Sequence, residues 1–151
     1  MFFMDKIAQK ANSARSVRGG VFENKIEELL SAMLEKKKIK SFERSPKIFD
    51  GEFNPDFVVY KNNGQIVSID STTTARTDRL RGKQWDANGT KLFYLENEKK
   101  EIIAVVVVQD DKITQKEADN FRRCKARVML PHSAFDGVVC VDELITLLEE
   151  E

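Results

Sequence analysis

The sequence predicts an α/β protein, a mixed central sheet flanked by helices, and three observations carry that expectation. Over residues 21–34 the apolar side chains of Phe22, Ile26, Leu29, Leu30, Met33 and Leu34 recur at the intervals of an amphipathic helix. Phe57-Val58-Val59-Tyr60 and Gln65-Ile66-Val67-Ser68-Ile69-Asp70 flank Lys61-Asn62-Asn63-Gly64, a turn signal, so this stretch reads as a β-hairpin. Ile102 to Val108 is apolar on both faces, the pattern of a strand inside a sheet. Elements that alternate in this way pack as helices on the faces of one sheet.

In chain order, Phe2, Phe3, Ile7, Ala8 and Ala11 lie at roughly helical spacing, so residues 1–19 predict a short helix or an arm on a partner subunit, ahead of a single domain over 20–151. Arg18-Gly19-Gly20 breaks the pattern, the amphipathic helix follows, and Lys36-Lys37-Lys38 ends it, because cations suit a helix C-terminus. A strand near Ile39 to Arg44 comes next, and Pro46 separates it from the hairpin. Thr77-Asp78 suits the N-cap of a helix through Ala87, with Asn88-Gly89 as its end. Strands are expected at Lys91 to Leu95 and Ile102 to Val108, then a helix from Thr114 to Arg123 and a strand at Arg127 to Leu130. A short strand at Val138 to Val141 and a terminal helix from Asp142 complete the reading.

The hairpin holds two acids, Asp56 and Asp70, at the ends of its strands, and the turn decides where they point. A two-residue loop at Asn63-Gly64 would pair Phe57 with Asp70 and put the acids on opposite faces of the sheet. A three-residue loop with Gly64 as a left-handed bulge residue would set Asp56 opposite Asp70, with Cβ atoms about 5 Å apart. Facing carboxylates repel, and a shared proton or a divalent cation would neutralise them; an all-oxygen ligand set favours Mg²⁺ or Mn²⁺ over zinc. Solvated strand ends, where Asp is common, account for the same pair without a metal.

A chain of 151 residues fits one domain and buries about 70% of its unfolded surface. Lys plus Arg equals Asp plus Glu, 25 against 25, so any polyanion partner must be met by local clusters of charge. Cys124 and Cys140 have neither metal-ligand spacing nor the density of a secreted disulfide scaffold, which predicts free thiols in a cytoplasmic protein. No apolar run reaches membrane-spanning length.

Gly20-Val21-Phe22-Glu23 on a helix, then Pro55-Asp56, then an acid ending the next strand, resembles the PD-(D/E)xK, or restriction-endonuclease-like, nuclease superfamily. That family's core is a helix, three antiparallel strands, a helix and a further strand, which maps onto residues from about 20 to 108. The resemblance implies that Asp56 and Asp70 bind the metal and that Glu23 is a further ligand or orients one. Thr73-Thr74-Ala75-Arg76, with Arg79 and Gln84-Trp85, is similar to the Thr-Thr-x-Arg-x-x-Trp-x-Gln type of stretch after the catalytic strand of several type II restriction endonucleases. The chain departs from the pattern two residues after the second acid, where Thr72 stands in place of the family's lysine. A hydroxyl cannot replace an ammonium that activates water or meets charge on the phosphate. Lys83 or Gln84 on the following helix are candidates for the migrated function, and Thr72 is left to bind a metal-ligated water or a phosphate oxygen; the alternatives are that metal and substrate supply the function or that the chain is catalytically dead.

The resemblance implies a Mg²⁺-dependent DNA endonuclease, Mn²⁺ being able to substitute, and a site-specific type II restriction enzyme acting as a homodimer, because cutting both strands generally needs two sites. Homing endonucleases and Holliday-junction resolvases share the same core, and a non-catalytic DNA-binding or assembly subunit is the reading from outside the enzymes. Ser71, Thr73, Thr74, Arg76, Arg79 and Arg81 would hold the phosphate backbone, with the loop Ser45 to Phe53 as a guess for base reading. Each signal has a plainer reading: Glu23 as one of four solvated helix acids, the arginines as a solvated face paired with Asp78 and Asp86, and Arg122 to Arg127 as a basic helix end. Trp85 reads as a core anchor, and His132, with no Ser or Cys partner at a recognisable spacing, gives little support to a hydrolytic triad.

Overall fold

The apolar stripe of residues 20–35 winds that segment into a helix, α1, and buries Phe22, Ile26, Leu30 and Met33 on one side. The computed structural model describes residues 20–73, 77–109 and 135–150, and within 77–82 the backbone alone. After α1 come the strands β1 (Ser41–Arg44), β2 (Phe57–Tyr60) and β3 (Ile66–Thr72), the helix α2 (Thr77–Glu98), the strands β4 (Ile103–Val108) and β5 (Gly137–Val139), and the helix α3 (Val141–Glu149). The five strands form one sheet in the order β1-β2-β3-β4-β5. The first three are antiparallel neighbours, and β4 lies parallel to both β3 and β5.

Helices cover both faces of this sheet. On one face Val67 and Ile69 of β3 and Val105 and Val107 of β4 pack with α1 and with Leu144 and Leu148 of α3. On the other, the alternate residues Ala104, Val106 and Val108 of β4 pack with Ala87 of α2, while Val58 and Ile66 pack with Tyr94. Every residue of β3 is buried, as expected of a strand paired on both edges and covered on both faces.

The turn between β2 and β3 takes the three-residue form. Lys61 N–H donates to the Gln65 carbonyl at 2.8 Å, Gly64 N–H donates to the Lys61 carbonyl at 3.0 Å, and Gly64 has a φ of 90°. Phe57 therefore pairs with Ile69 and Val58 with Ser68, and continuing that register by one residue sets Asp56 opposite Asp70.

Two sequence expectations are corrected. Lys91 to Leu95 is not a strand: α2 runs through Asn88-Gly89 to Glu98. The run Lys91-Leu92-Phe93-Tyr94-Leu95 looks strand-like, but Ala87, Thr90 and Tyr94 are the buried residues, at helical spacing, while Leu92 and Leu95 are about half exposed. Gly89 is there for proximity, since a Cβ at this position would stand 2.2 Å from the Phe53 ring. Trp85 is not a core anchor either, because it is 62% exposed.

The expected arm over 1–19, helix 114–123 and strand 127–130 lie outside the described residues, as do Thr74, Arg76, Cys124, His132 and the basic cluster over 122–127. Among the described residues, no helix is long and apolar enough to cross a membrane.

Gly89→Ala drives a methyl group into the Phe53 ring and is expected to destabilise the fold by about 1–3 kcal/mol. Gly20→Ala, which meets nothing within 4 Å, is the control and leaves stability near wild type. Thermal unfolding of the two variants checks this, and equal midpoints would mean that Phe53 and α2 do not need their close contact.

Candidate functional site

The site begins where the hairpin ladder stops. Pro55 has no N–H to offer, so pairing cannot continue past Asp56, and the first free amide of β3 beyond that point belongs to Ser71. Asp56 takes it: its Oδ2 accepts from Ser71 N–H at 2.7 Å and from the Ser71 hydroxyl at 2.9 Å. Two donors on one oxygen hold the carboxylate in place at the end of the sheet.

Asp70 lies across the ladder, only 1% exposed. The Asp56 backbone amide donates to its carboxylate, and Oδ2 is buried without a hydrogen-bond partner, as is Oγ of Ser68 two residues earlier on the same face. Burial, then the negative charge of Asp56, pushes the Asp70 carboxyl up to about 8, against the pull of the Lys83 ammonium. Lys83 comes from α2, and its Nζ is 3.7 Å from Asp56 Oδ2. About one helical turn further along, Asp86 accepts from the Asn54 amide at 3.0 Å and ties the approach to Asp56 onto α2.

Glu23, on the first turns of α1, faces the same end of the sheet. Burial and the charge of Asp56 raise its pKa, while Arg44 opposes them. Arg44 of β1 donates to Glu23 at 3.2 Å, to Glu27, and to the Asn24 side chain at 2.8 Å, and its guanidinium stands 5.8 Å from the centre of the Phe57 ring. Glu23 thus belongs to an Arg44-centred set beside the acid pair. Among the described residues, no three His, Cys, Asp or Glu side chains form a group that could enclose a metal ion.

The structure therefore brings together Glu23, Asp56, Asp70 and Lys83. Thr72 is buried on the Asp70 face of β3 and Thr73 is half-buried at the strand end; Gln84 is half-buried beside Lys83. Ser71 is buried with its hydroxyl proton directed to Asp56, which makes it a positioning group for that acid. Arg79 and Arg81 lie on α2, whose side chains are described from Lys83 onward. Arg44 and the tie from Asp86 to Asn54 were not expected, because each joins segments at least seventeen residues apart and no local pattern announces it. Cavities of about 320 Å³ beside Lys37 and Asn63 and about 470 Å³ beside Asp136 and Leu147 contain none of these groups.

A buried carboxylate facing a second one, with an unpartnered oxygen, needs either a proton or a cation. The donors here are all oxygen, and Asp56 remains 17% exposed, so a divalent ion that retains several waters, such as Mg²⁺ or Mn²⁺, fits them. Comparison with protein-family models, with curated proteins and with solved structures finds no match to this chain.

The unfolded Asp70 carboxyl loses its proton near 3.8 and the folded one near 8. Between these values the folded state binds more protons, so this group's stabilising contribution is complete below the lower value and is lost as pH rises through the higher one. Asp70→Asn is expected to unfold at a higher temperature than metal-free wild type at pH 8, by about 1–3 kcal/mol of stability, with the gap closing towards pH 4. Millimolar Mg²⁺ should raise the wild-type midpoint and leave the variant unmoved. A gap that stays constant across the pH range would show that Asp70 is not the group concerned.

Proposed function

We propose that this chain is a Mg²⁺-dependent endonuclease that hydrolyses DNA phosphodiester bonds, a site-specific type II restriction enzyme working as a two-fold dimer. The observation that carries this reading is the register that sets Asp56 against a buried Asp70 with a free oxygen, with the Lys83 ammonium 3.7 Å from Asp56. Support comes also from the order of elements, since α1, antiparallel β1-β2-β3, α2 and β4 follow the core order of the nuclease superfamily that the sequence resembles.

A bound divalent cation supplies Lewis acidity and a water of lowered pKa. Asp56 and Asp70 would hold it, and Ser71 fixes the Asp56 carboxylate with both of its donors. Lys83 reaches the place that Thr72 cannot serve: an ammonium beside the acid pair can meet the charge that builds on the phosphate oxygens as the phosphorus–oxygen bond breaks. The Arg44 set keeps Glu23 near Asp56 without turning it into the pair, which suits a role in orienting ligands or water. With one such site per chain, cutting both strands at one place calls for two copies related by a two-fold axis.

The second reading, a DNA-binding subunit without catalysis, rested on Thr72, and the lysine from α2 removes most of its motive. Incubation of the purified protein with plasmid DNA and Mg²⁺ or Mn²⁺ should give cleavage. Asp56→Asn and Asp70→Asn are each expected to abolish it while the fold persists, and Lys83→Ala should lower the rate by about 10²–10³-fold. DNA that is bound and never cut would leave the binding subunit as the answer; a fully active Lys83→Ala would remove that residue from the mechanism.

A further inference from the structure

Trp85 is the only tryptophan of the chain and 62% of it is exposed, an unusual place for the largest apolar side chain. It is not loosely placed. Its ring lies 5.4 Å from that of Phe53 at an angle of 43°, Phe53 rests on the bare backbone of Gly89, and Phe49 meets the Phe53 ring edge-on at 5.9 Å. Phe49 and Asp50 adopt left-handed backbone, with φ of 50° and 58°, to close the small turn that carries these rings. Strain of that kind in non-glycine residues persists where surrounding structure enforces it, and it clusters at binding sites.

The position of this aromatic shelf is tied to the acids from both sides. Phe53 precedes Asp56 by three residues, Trp85 follows Lys83 by two, and Asp86 holds the Asn54 amide between them. Phe53, on which Trp85 leans, lies three residues of chain from Asp56, at most about 10 Å, so a polymer whose phosphate lies at Asp56 and Asp70 brings a neighbouring nucleotide within reach of Trp85. Flat aromatic rings next to a phosphate site are what a nucleobase stacks on. Inside a duplex both faces of a base are already covered by its neighbours, so an indole face is usable only by a base that has left the stack.

We infer that Trp85, backed by Phe53, stacks an unpaired nucleobase adjacent to the phosphate held at the acid pair, so that the favoured substrate is DNA with unstacked nucleotides, single-stranded, forked or junctional, over intact duplex. This rests on the acid pair as a phosphodiester-cutting site and, in its choice of substrate, replaces duplex restriction with cutting at unpaired nucleotides.

Because Trp85 is the sole tryptophan, its emission reports on this shelf alone. Wild-type protein in Ca²⁺, used to suppress turnover, is titrated with a single-stranded oligonucleotide, a forked duplex and an intact duplex of the same sequence. Emission should be quenched by the first two at lower concentration than by the third. Trp85→Ala should weaken binding of the single strand about tenfold, with duplex binding little changed, and Trp85→Phe should restore most of the loss. Both variants alter an exposed side chain, and circular dichroism checks that they fold. Binding with emission unchanged and an unaffected Trp85→Ala overturns the inference and leaves the nuclease reading standing. Failure of the wild type to bind any of the three overturns both. Emission that follows protein concentration rather than DNA marks Trp85 as a contact between copies of the chain and also overturns it.

Discussion

A slip of one residue between β2 and β3 would turn Asp56 and Asp70 to opposite faces and send Val58 out of its packing with α2. What prevents the slip is the turn that precedes it. Gly64, at a φ of 90°, lets three residues span Lys61 to Gln65, a backbone conformation that most side chains resist. The hydrophobic pattern enforces the same choice, since Val59 and Val67 must meet α1 and α3 while Val58 and Ile66 meet Tyr94. Turn chemistry and core packing agree, and the facing acids follow from that agreement.

The cost of the arrangement falls on Asp70. It sits on a strand sealed on both edges and both faces, so its charge has no solvent to spread into. The partners that answer this come from two other segments: the Asp56 amide just ahead of β2 and Lys83 from α2. A side chain so placed destabilises the empty fold and is retained where a ligand recovers the difference, which is why the group least suited to the core is the one most informative about function.

Much of this was legible in the residues. The helical stripe from Phe22 to Met33, the Asn-Asn-Gly turn and the apolar run ending at Val108 each reflect local rules, and each element formed where the pattern put it. The acid pair was legible as a choice between two registers, and the side chain that α2 brings beside it as a choice between Lys83 and Gln84. Illegible were the effects that depend on distant chain. Asn88-Gly89 reads as a helix end because both residues usually stop helices, and only the Phe53 ring explains a glycine inside α2. Trp85 reads as core by its size alone, and Arg44 gives no sign in its own strand that two glutamates and an asparagine of α1 wait across the sheet edge.

Helix α2 is fastened both to β2 and to the segment that leads into it. At one end Lys83 and Asp86 reach Asp56 and Asn54; at the other the Tyr94 hydroxyl meets that of Tyr60 at 2.6 Å. Eleven residues of helix from Lys83 to Tyr94 rise about 16 Å, and four residues of strand from Asp56 to Tyr60 rise about 13 Å, a difference that the long lysine side chain spans. One residue added between Asp86 and Tyr94 would rotate the two fastenings by about 100° relative to each other. The spacing along this half of α2 thus sets where Lys83 stands against Asp56, and its length is as much a part of the site as the carboxylates themselves.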